Sequence, residues 1–330
     1  MRIAIDAMGG DHAPKVMVEG AQAAAQEWSD VEIILVGDSA AIEAHLGEQR
    51  PGNLTVRHTS EVIAAEDEPV RAVRRKKDAS MVVAGRLVRE KEAAAMISAG
   101  NTGALMTTGL LVVGRIDGIE RPALAPMIPT LDGRGVLALD LGANMDATAE
   151  QLRQYAVMGS IYRAKVHGVK EPRVGLLNVG TEAMKGNELT KAAYPLLETA
   201  PIRFIGNVES RDVLTADCDV IVCDGFVGNI MLKTLEGAAS AIFSTLRQEF
   251  TKTLWTKLAA LILKPGLTQF RKKLDYSEHG AAPLLGIDGL VLKSHGSSDA
   301  NAIKNAVRQA RIALQNDLVG AISAEISQGK

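Results

Sequence analysis

Side chains able to hold a phosphate or move its proton recur along this chain, most of them just after an apolar run and beside glycine. Asp224-Gly225 and Gly228-Asn229 follow Val220–Cys223, and Ser98-Ala99-Gly100-Asn101-Thr102-Gly103 follows Ala93–Ile97. Both turns carry the frame Gly-x-x-Gly ahead of a helical pattern. Glycine there lets the backbone approach a ligand, and the first N–H groups of a helix, lacking intrahelical partners, can hold an anion. The design recurs at Asp6 with Asp11 and His12, Asp140 with Asn144, Lys185 with Asn187, Asn207 with Glu209, and His295 with Ser297 and Ser298. Asn, Ser, Thr and backbone N–H groups suit phosphate oxygens, and Lys185 adds positive charge. A second reading stands beside this one: Asn and Asp in such places cap helices and hold turns.

Other chemistries find less support. Asp6-Ala7-Met8-Gly9-Gly10 lacks the G-x-G-x-x-G of dinucleotide sites, Lys185 precedes rather than follows its glycine, and no G-x-S-x-G elbow occurs. Cofactor-dependent redox chemistry, ATP hydrolysis and a serine acyl-enzyme all recede. Cys218 and Cys223 flank one strand and are too few for a zinc cluster, so they read as inert core thiols in a reducing compartment.

Gathering such scattered residues requires a sheet whose strand ends share an edge. Ile3–Asp6, Val31–Val36 and Asn53–Arg57 read as strands, with helices from about Pro14 toward Trp28 and on to about Leu46. This β-α-β-α-β order predicts a mostly parallel sheet covered on both faces, with ligands at the edge where its loops emerge. Further strands are expected at Ala93–Ile97, Ala123–Ile128, Gly135–Asp140, Arg173–Asn178, Arg203–Ile205 and Val220–Cys223, with Gly289–Lys293 ending the sheet. Helices are expected at Ala79–Glu90, Ala104–Ile116, Glu150–Val166 and from Leu189, and a helical pattern with breaks runs from Asn229 to about Lys264. Pro265-Gly266 then breaks the chain before a short helix, Leu267–Tyr276, and Ser297 or Ser298 caps the last, Ala300–Ile322.

The 330 residues are 47% hydrophobic, with 31 glycines but five Phe and two Trp, which suits an aliphatic, many-turned α/β core. A net charge of −2 gives no call for nucleic acid. No linker or low-complexity stretch interrupts the chain, so one domain over 1–330 is expected, with 238–285 as a projecting helical excursion. The opening reads as a strand rather than an export leader, and Leu105–Val113 is too short and interrupted for a membrane span, so a cytoplasmic location is expected.

In the excursion, Leu254, Trp255, Leu258, Leu261 and Ile262 form an apolar stripe among Lys252, Lys257 and Lys264, and Phe270 continues it among Arg271, Lys272 and Lys273. Such a stripe marks core, a subunit interface or a hairpin lying on a membrane, and the last two coexist if a dimer sets its tips side by side. The run Arg71, Arg74, Arg75, Lys76 and Lys77 follows the acidic segment Val62–Pro69. It serves as a solvated face, pairs internally, or docks an acidic protein.

The segments MRIAIDAMGGDHAP, EPVRAVRRKKDASM, ISAGNTGALM, LLNVGTEAMKGNELTK, DGFVGNIMLKTLEG and HGSSDANAI spread over nearly the whole chain. Together they resemble the PlsX-type bacterial phosphate acyltransferase family. The resemblance implies a three-layer α/β/α sandwich with a mostly parallel Rossmann-like sheet, akin to phosphotransacetylases and isocitrate/isopropylmalate dehydrogenases. It implies a homodimer, peripheral contact with the inner face of the cytoplasmic membrane, and a place at the entry to phospholipid synthesis, with the downstream glycerol-3-phosphate acyltransferase as a candidate contact. The implied reaction turns acyl-[acyl carrier protein] and inorganic phosphate into acyl phosphate and free carrier, with no metal and no organic cofactor. Acyl carrier protein is acidic, which favours Arg71–Lys77 as its dock. On this basis Ser98, Gly100, Asn101, Thr102, Gly103, Asn144, Asn187, Gly225, Gly228, Asn229, Ser297 and Ser298 are expected around the phosphate. Lys185 would face phosphate or oxyanion, Asp224 would orient phosphate or take its proton, and His12 or His295 are the other proton handlers. Met231–Leu263 either lines an apolar channel for the acyl chain or is a plain helix-packing surface. The competing readings are a phosphotransacetylase-like enzyme using acyl-coenzyme A, and a catalytically silent scaffold.

Overall fold

The computed structural model describes residues 1–47, 50–215, 217–273 and 281–328, with the side chains of 267–273 outside the description. Alternating apolar strands and amphipathic helices open the chain as β1 (Arg2–Asp6), α1 (Lys15–Glu27), β2 (Glu32–Gly37), α2 (Ser39–Glu43), β3 (Leu54–His58), α3 (Pro69–Arg75), α4 (Ser80–Arg89) and β4 (Ala95–Ser98). These strands pair in parallel in the order β3-β2-β1-β4. Alternate residues serve opposite faces: Ile3, Ile5, Ile33 and Leu35 share a core with Met17 and Val18 of α1, while Ala4, Val36 and Met96 share another with Met81 and Ala84 of α4.

After β4 come α5 (Thr102–Thr108), running into a π-helical turn at Gly109–Val113, then β5 (Ala123–Leu124), β6 (Met127–Ile128), β7 (Val136–Leu139), α6 (Ala149–His167), β8 (Arg173–Asn178), α7 (Glu188–Glu198), β9 (Arg203–Glu209) and β10 (Val220–Val222). The chain closes with α8 (Gly225–Thr251), α9 (Leu254–Lys273), β11 (Ala282–Leu285), β12 (Leu290–Lys293), α10 (Ala300–Gln315) and α11 (Leu318–Gln328). The strands form two mostly parallel sheets, one of order β3-β2-β1-β4-β12-β11-β5 and one of order β6-β7-β10-β8-β9. Leu152, Tyr155, Met158 and Tyr162 of α6 join the core that serves both sheets. On the other face of the second sheet, Met231, Leu232 and Leu235 of α8 pack with Ile128, Leu177 and Ile221.

Several local expectations change once strand partners are known. The run Ala123–Ile128 is two strands, because Ala125-Pro126 carries the chain from the first sheet to the second and proline supplies no ladder N–H. β9 continues through Gly206, whose φ of 90° accompanies a register shift between Val174 and Leu176 of β8, so a glycine that reads as a stop is an irregularity within a strand. Asn207 and Glu209 therefore lie in β9 and not in a loop after it. β11, disguised by Pro283, was not expected, and it moves β12 into the sheet interior between β4 and β11. Pro265 lies within α9 rather than ending a helix. The cap of α10 is Asp299, which accepts from Ala302 N at 2.8 Å, not Ser297 or Ser298. The closing helix itself divides at Asp317, whose φ is 46°.

From Glu236 onward no described residue of α8 or α9 is buried. Trp255 and Ile262 are 82% and 80% exposed, and Leu254, Leu258 and Leu261 are exposed with them. Phe270 lies outside the described side chains. Among the described residues no helix is long and apolar enough to cross a membrane.

Candidate active site

β7, β10 and β8 lie side by side, and each gives way to a polar residue or ends on one: Asp140, Asp224 and Asn178. Asp140 is buried. Its Oδ1 accepts from Leu124 N at 3.1 Å and Ala143 N at 3.0 Å, and its Oδ2 from Asn144 N at 2.5 Å. Burial pushes its pKa up to about 6 against the pull of those N–H groups. The carboxylate thereby curls the 140–144 turn, and the Asn144 amide donates to Gln151 Oε1 at 2.6 Å.

That turn is locked to the start of α8. Gly225 N donates to the Asn144 carbonyl at 2.9 Å. A Cβ at Gly228 would lie 2.0 Å from the Asp140 carbonyl oxygen, so the first turn of α8 comes this close to the strand end only with glycine there. The Asn229 side chain lies beside Gly142, with atoms 3.8 Å from where a Cβ on that glycine would stand.

Asp224 caps α8 by accepting from Val227 N at 2.9 Å, and Asn187 caps α7 by accepting from Thr190 N at 2.9 Å. Both caps line the same two adjoining spaces, a cavity of about 710 Å³ and a smaller one of about 340 Å³. Two helix N-termini thus face common space, each carrying the positive end of its dipole. Lys185 stands in the turn before Asn187, exposed, with its carbonyl held by the Asn178 amide at 3.1 Å. Arg211, just after β9, lines the larger cavity and donates to Glu209 at 3.0 Å. The sequence alone does not point to Arg211, because Gly206 reads as the end of a strand at Ile205, which leaves Arg211 far from any strand end.

The first sheet builds a second cluster at the ends of β1, β4 and β12. Asp6 is buried and accepts from the hydroxyls of Ser80 and Ser98, both at 2.6 Å. Burial raises its pKa while these bonds lower it. Ser98 also accepts from Gly100 N at 3.0 Å, so its hydroxyl supports the turn from inside. Asn101 caps α5 through Ala104 N at 3.0 Å and donates to Ala65 O at 2.9 Å, and Gly103 packs against Pro69. Thr102 is exposed in the first turn of α5, and His12 is exposed after β1. His295 Nδ1 is 2.7 Å from Ser297 Oγ, and Ser298 is buried. Lys293, which the sequence reading passed over, ends β12 with its ammonium donating to Ala99 O at 3.4 Å. Burial draws its pKa down to about 8, opposed by Asp11 and Asp6.

The expected catalytic and phosphate-binding residues thus fall into two groups. Asn144, Lys185, Asn187, Asp224, Gly225, Gly228 and Asn229 share the edge of the second sheet. Ser98, Gly100, Asn101, Thr102, Gly103, His12, His295, Ser297 and Ser298 share that of the first. Leu124 of β5 links the sheets by donating to Asp140. Among the described residues no group of three or more His, Cys, Asp or Glu is placed to hold a metal ion. On α3 and just beyond it, Arg71, Arg74, Arg75 and Lys77 are exposed, whereas Lys76 pairs with Asp67 at 2.6 Å and bonds Val62 O at 2.9 Å.

Residues 1–320 match the family described as fatty acid synthesis protein. The chain is 61% identical over 318 residues to a phosphate acyltransferase of Brevibacillus brevis, covering 96% of this chain and 95% of that one. It is 55% identical over 331 residues to a phosphate acyltransferase of Bacillus subtilis, covering 100% and 99%. Among solved structures, a phosphotransacetylase from Streptococcus pyogenes superposes with a TM-score of 0.63 at 16% identity, covering 96% of this chain and 94% of that chain. A branched-chain phosphotransacylase from Enterococcus faecalis gives 0.58 at 15% identity, covering 94% and 98%. At such identities these two likenesses speak for the α/β fold alone.

Proposed function

This chain belongs to the fatty acid synthesis protein family, and on that premise we propose that it moves an acyl group from acyl carrier protein to inorganic phosphate. Its relatives at more than half identity over the full length are phosphate acyltransferases. The observation that carries the reading is the pair of helix N-termini at Asn187 and Asp224 that border a shared cavity, with Lys185 two residues before Asn187. Such a place attracts an anion and leaves room beside it for an acyl group.

In the reaction a phosphate oxygen attacks the thioester carbon, the carbonyl oxygen takes up charge, and the thiolate leaves. The C–S bond breaks as the C–O bond forms, and the proton lost by hydrogen phosphate is the one the departing sulfur needs. Inorganic phosphate is already a nucleophile, so the protein chiefly holds both partners together and stabilises the oxyanion. Lys185 offsets the charge of phosphate and oxyanion. Asp224 accepts a hydrogen bond from the protonated phosphate oxygen and relays that proton toward sulfur. Asn144, Asn187 and Asn229, with backbone at Gly225 and Gly228, orient the phosphate.

The exposed Arg71, Arg74, Arg75 and Lys77 meet the acidic carrier, while Lys76 is held by Asp67. The bare apolar stripe of α9 serves a homodimer and the inner membrane surface, where the acyl phosphate passes to a glycerol-3-phosphate acyltransferase. Purified protein supplied with acyl-carrier protein, or separately with acyl-coenzyme A, and phosphate tests this by hydroxylamine trapping of acyl phosphate. Turnover with the carrier donor is expected; turnover with acyl-coenzyme A alone would refute the carrier as donor, and none with either would refute the activity.

A further inference from the structure

The two cavities that meet at Asp224, Asn187 and Val227 differ in kind. The smaller is bordered by Met145, Asp146 and Ala147 of the turn after β7 and by Phe226. The larger leads away along α8, where Val227, Ile230, Met231, Thr234 and Leu235 stand at positions i, i+3, i+4, i+7 and i+8, one face of the helix. Opposite them are Leu177 and Val179 at the end of β8, so the walls are largely aliphatic. The groove's polar residues include Asp224, Asn187 and Asn178 at the strand ends, where the phosphate site was placed. From Val227 to Leu235 the helix advances about 12 Å. A volume of about 710 Å³ lies within the range for ligand sites, about 300–1,000 Å³.

Val179, Val227 and Ile230 line this groove yet are 80%, 40% and 51% exposed. The groove therefore presents apolar surface to water, and a long hydrocarbon passing over it would remove that surface from solvent. A reacting carbonyl held at Asp224 needs its chain to leave by some route. Of the two spaces that meet there, the larger has the longer continuous aliphatic wall and about twice the volume, about 710 Å³ against about 340 Å³.

We propose that the acyl chain of the substrate lies in the groove between the Val227–Leu235 face of α8 and the end of β8, with the smaller cavity left to the phosphate and thioester end. This rests on the phosphate acyltransferase reading and extends it, since it makes the groove's length the ruler for acyl chains. Thr234 is exposed and at the far part of the groove from Asp224, so a large side chain there shortens the groove without entering the core. Met231 is buried against the groove floor and sets its depth.

The test measures kcat/KM for straight-chain acyl donors of four to sixteen carbons, on carrier protein and on coenzyme A, for the parent, Thr234→Trp and Met231→Ala. In the parent, specificity should rise by up to about fourfold per methylene until the groove is filled, from about 0.8 kcal/mol per buried methylene. In Thr234→Trp the rise should stop at a shorter chain, so the long-to-short ratio falls about tenfold or more, the worth of two methylenes on that scale. Met231→Ala should move the optimum toward longer or branched chains. A length profile of unchanged shape in both folded variants would overturn the proposal. So would a uniform loss across all lengths accompanied by a changed oligomeric mass, which would make the groove a subunit seam. Absence of acyl phosphate from the parent with every donor would instead sink the underlying activity.

Discussion

Gly225 N–H donates to the carbonyl of Asn144 at 2.9 Å, and Asp140 lies directly beneath them. A Cβ on Gly225 would stand 2.7 Å from that carbonyl oxygen and 2.8 Å from Asp140 Oδ2. The first turn of α8 is therefore docked on a strand end with no room for a methyl group, which keeps its N–H groups and Asp224 in fixed positions. Pre-organised donors of this kind act without reorganising during the reaction.

Gly228→Ala measures how much that docking matters. Alanine in a helix would ordinarily add up to about 1 kcal/mol over glycine. Here its methyl would lie 2.0 Å from the Asp140 main-chain oxygen, a contact that must be relieved by moving backbone. Overpacking of this sort costs about 1–3 kcal/mol, so the net change should be destabilising, with activity lost alongside. Denaturant unfolding of the variant checks the sign, and a stabilised variant would show that the helix start yields easily.

Asp140 should leave a mark on the pH dependence of stability. Its folded-state pKa of about 6 exceeds the ordinary 3.8, so the folded protein binds this proton more tightly than the unfolded chain does. The stabilisation is complete below about 3.8 and is lost as pH rises through about 6, a difference of about 3 kcal/mol. Asp140→Asn removes the titration. Between pH 6.5 and 4 the parent should therefore gain stability relative to the variant, and parallel curves from urea titrations at each pH would contradict it.

Lys185 is exposed, so its removal should spare the fold. Lys185→Ala is expected to lower turnover by about a hundredfold or more, the scale of losing a group that stabilises developing charge. Thermal unfolding should remain close to the parent. Near-parental turnover would take Lys185 out of the mechanism.

Replacing Arg71, Arg74 and Arg75 by Glu should raise KM for a carrier-protein donor by about tenfold at low salt, with the difference shrinking as ionic strength rises. Lys76→Ala should act differently, since Lys76 holds Asp67 and the Val62 carbonyl and its loss loosens that loop. Equal KM values for carrier-protein donors in parent and triple variant would remove α3 from the docking surface.

The bare stripe on α9 makes a paired prediction. Trp255→Glu with Leu258→Glu should reduce sedimentation with anionic vesicles, and sedimentation equilibrium reports whether the same residues hold two chains together. Unchanged vesicle binding and unchanged mass would leave that stripe without either role.

Local chemistry in the sequence determined a good part of this protein. β8 runs from Arg173 to Asn178, as the apolar run between its flanking polar residues indicates, and Asp140, Asn187 and Asp224 follow strands or precede helices where glycine and amide chemistry put them. Apolar period and turn residues act within a few positions, so they are legible without knowing the rest of the chain. Only the tertiary structure decided which strands are neighbours. It divided Ala123–Ile128 between two sheets, carried β9 past Gly206 to bring Arg211 to the larger cavity, and enclosed β12 so that Lys293 became a half-buried ammonium near Asp6. It also made Ser98 an internal support of its turn, through a bond to a residue 92 positions earlier. Strand order, burial and cavity lining depend on contacts between residues far apart in the chain, and no short window of sequence contains the partner that settles them.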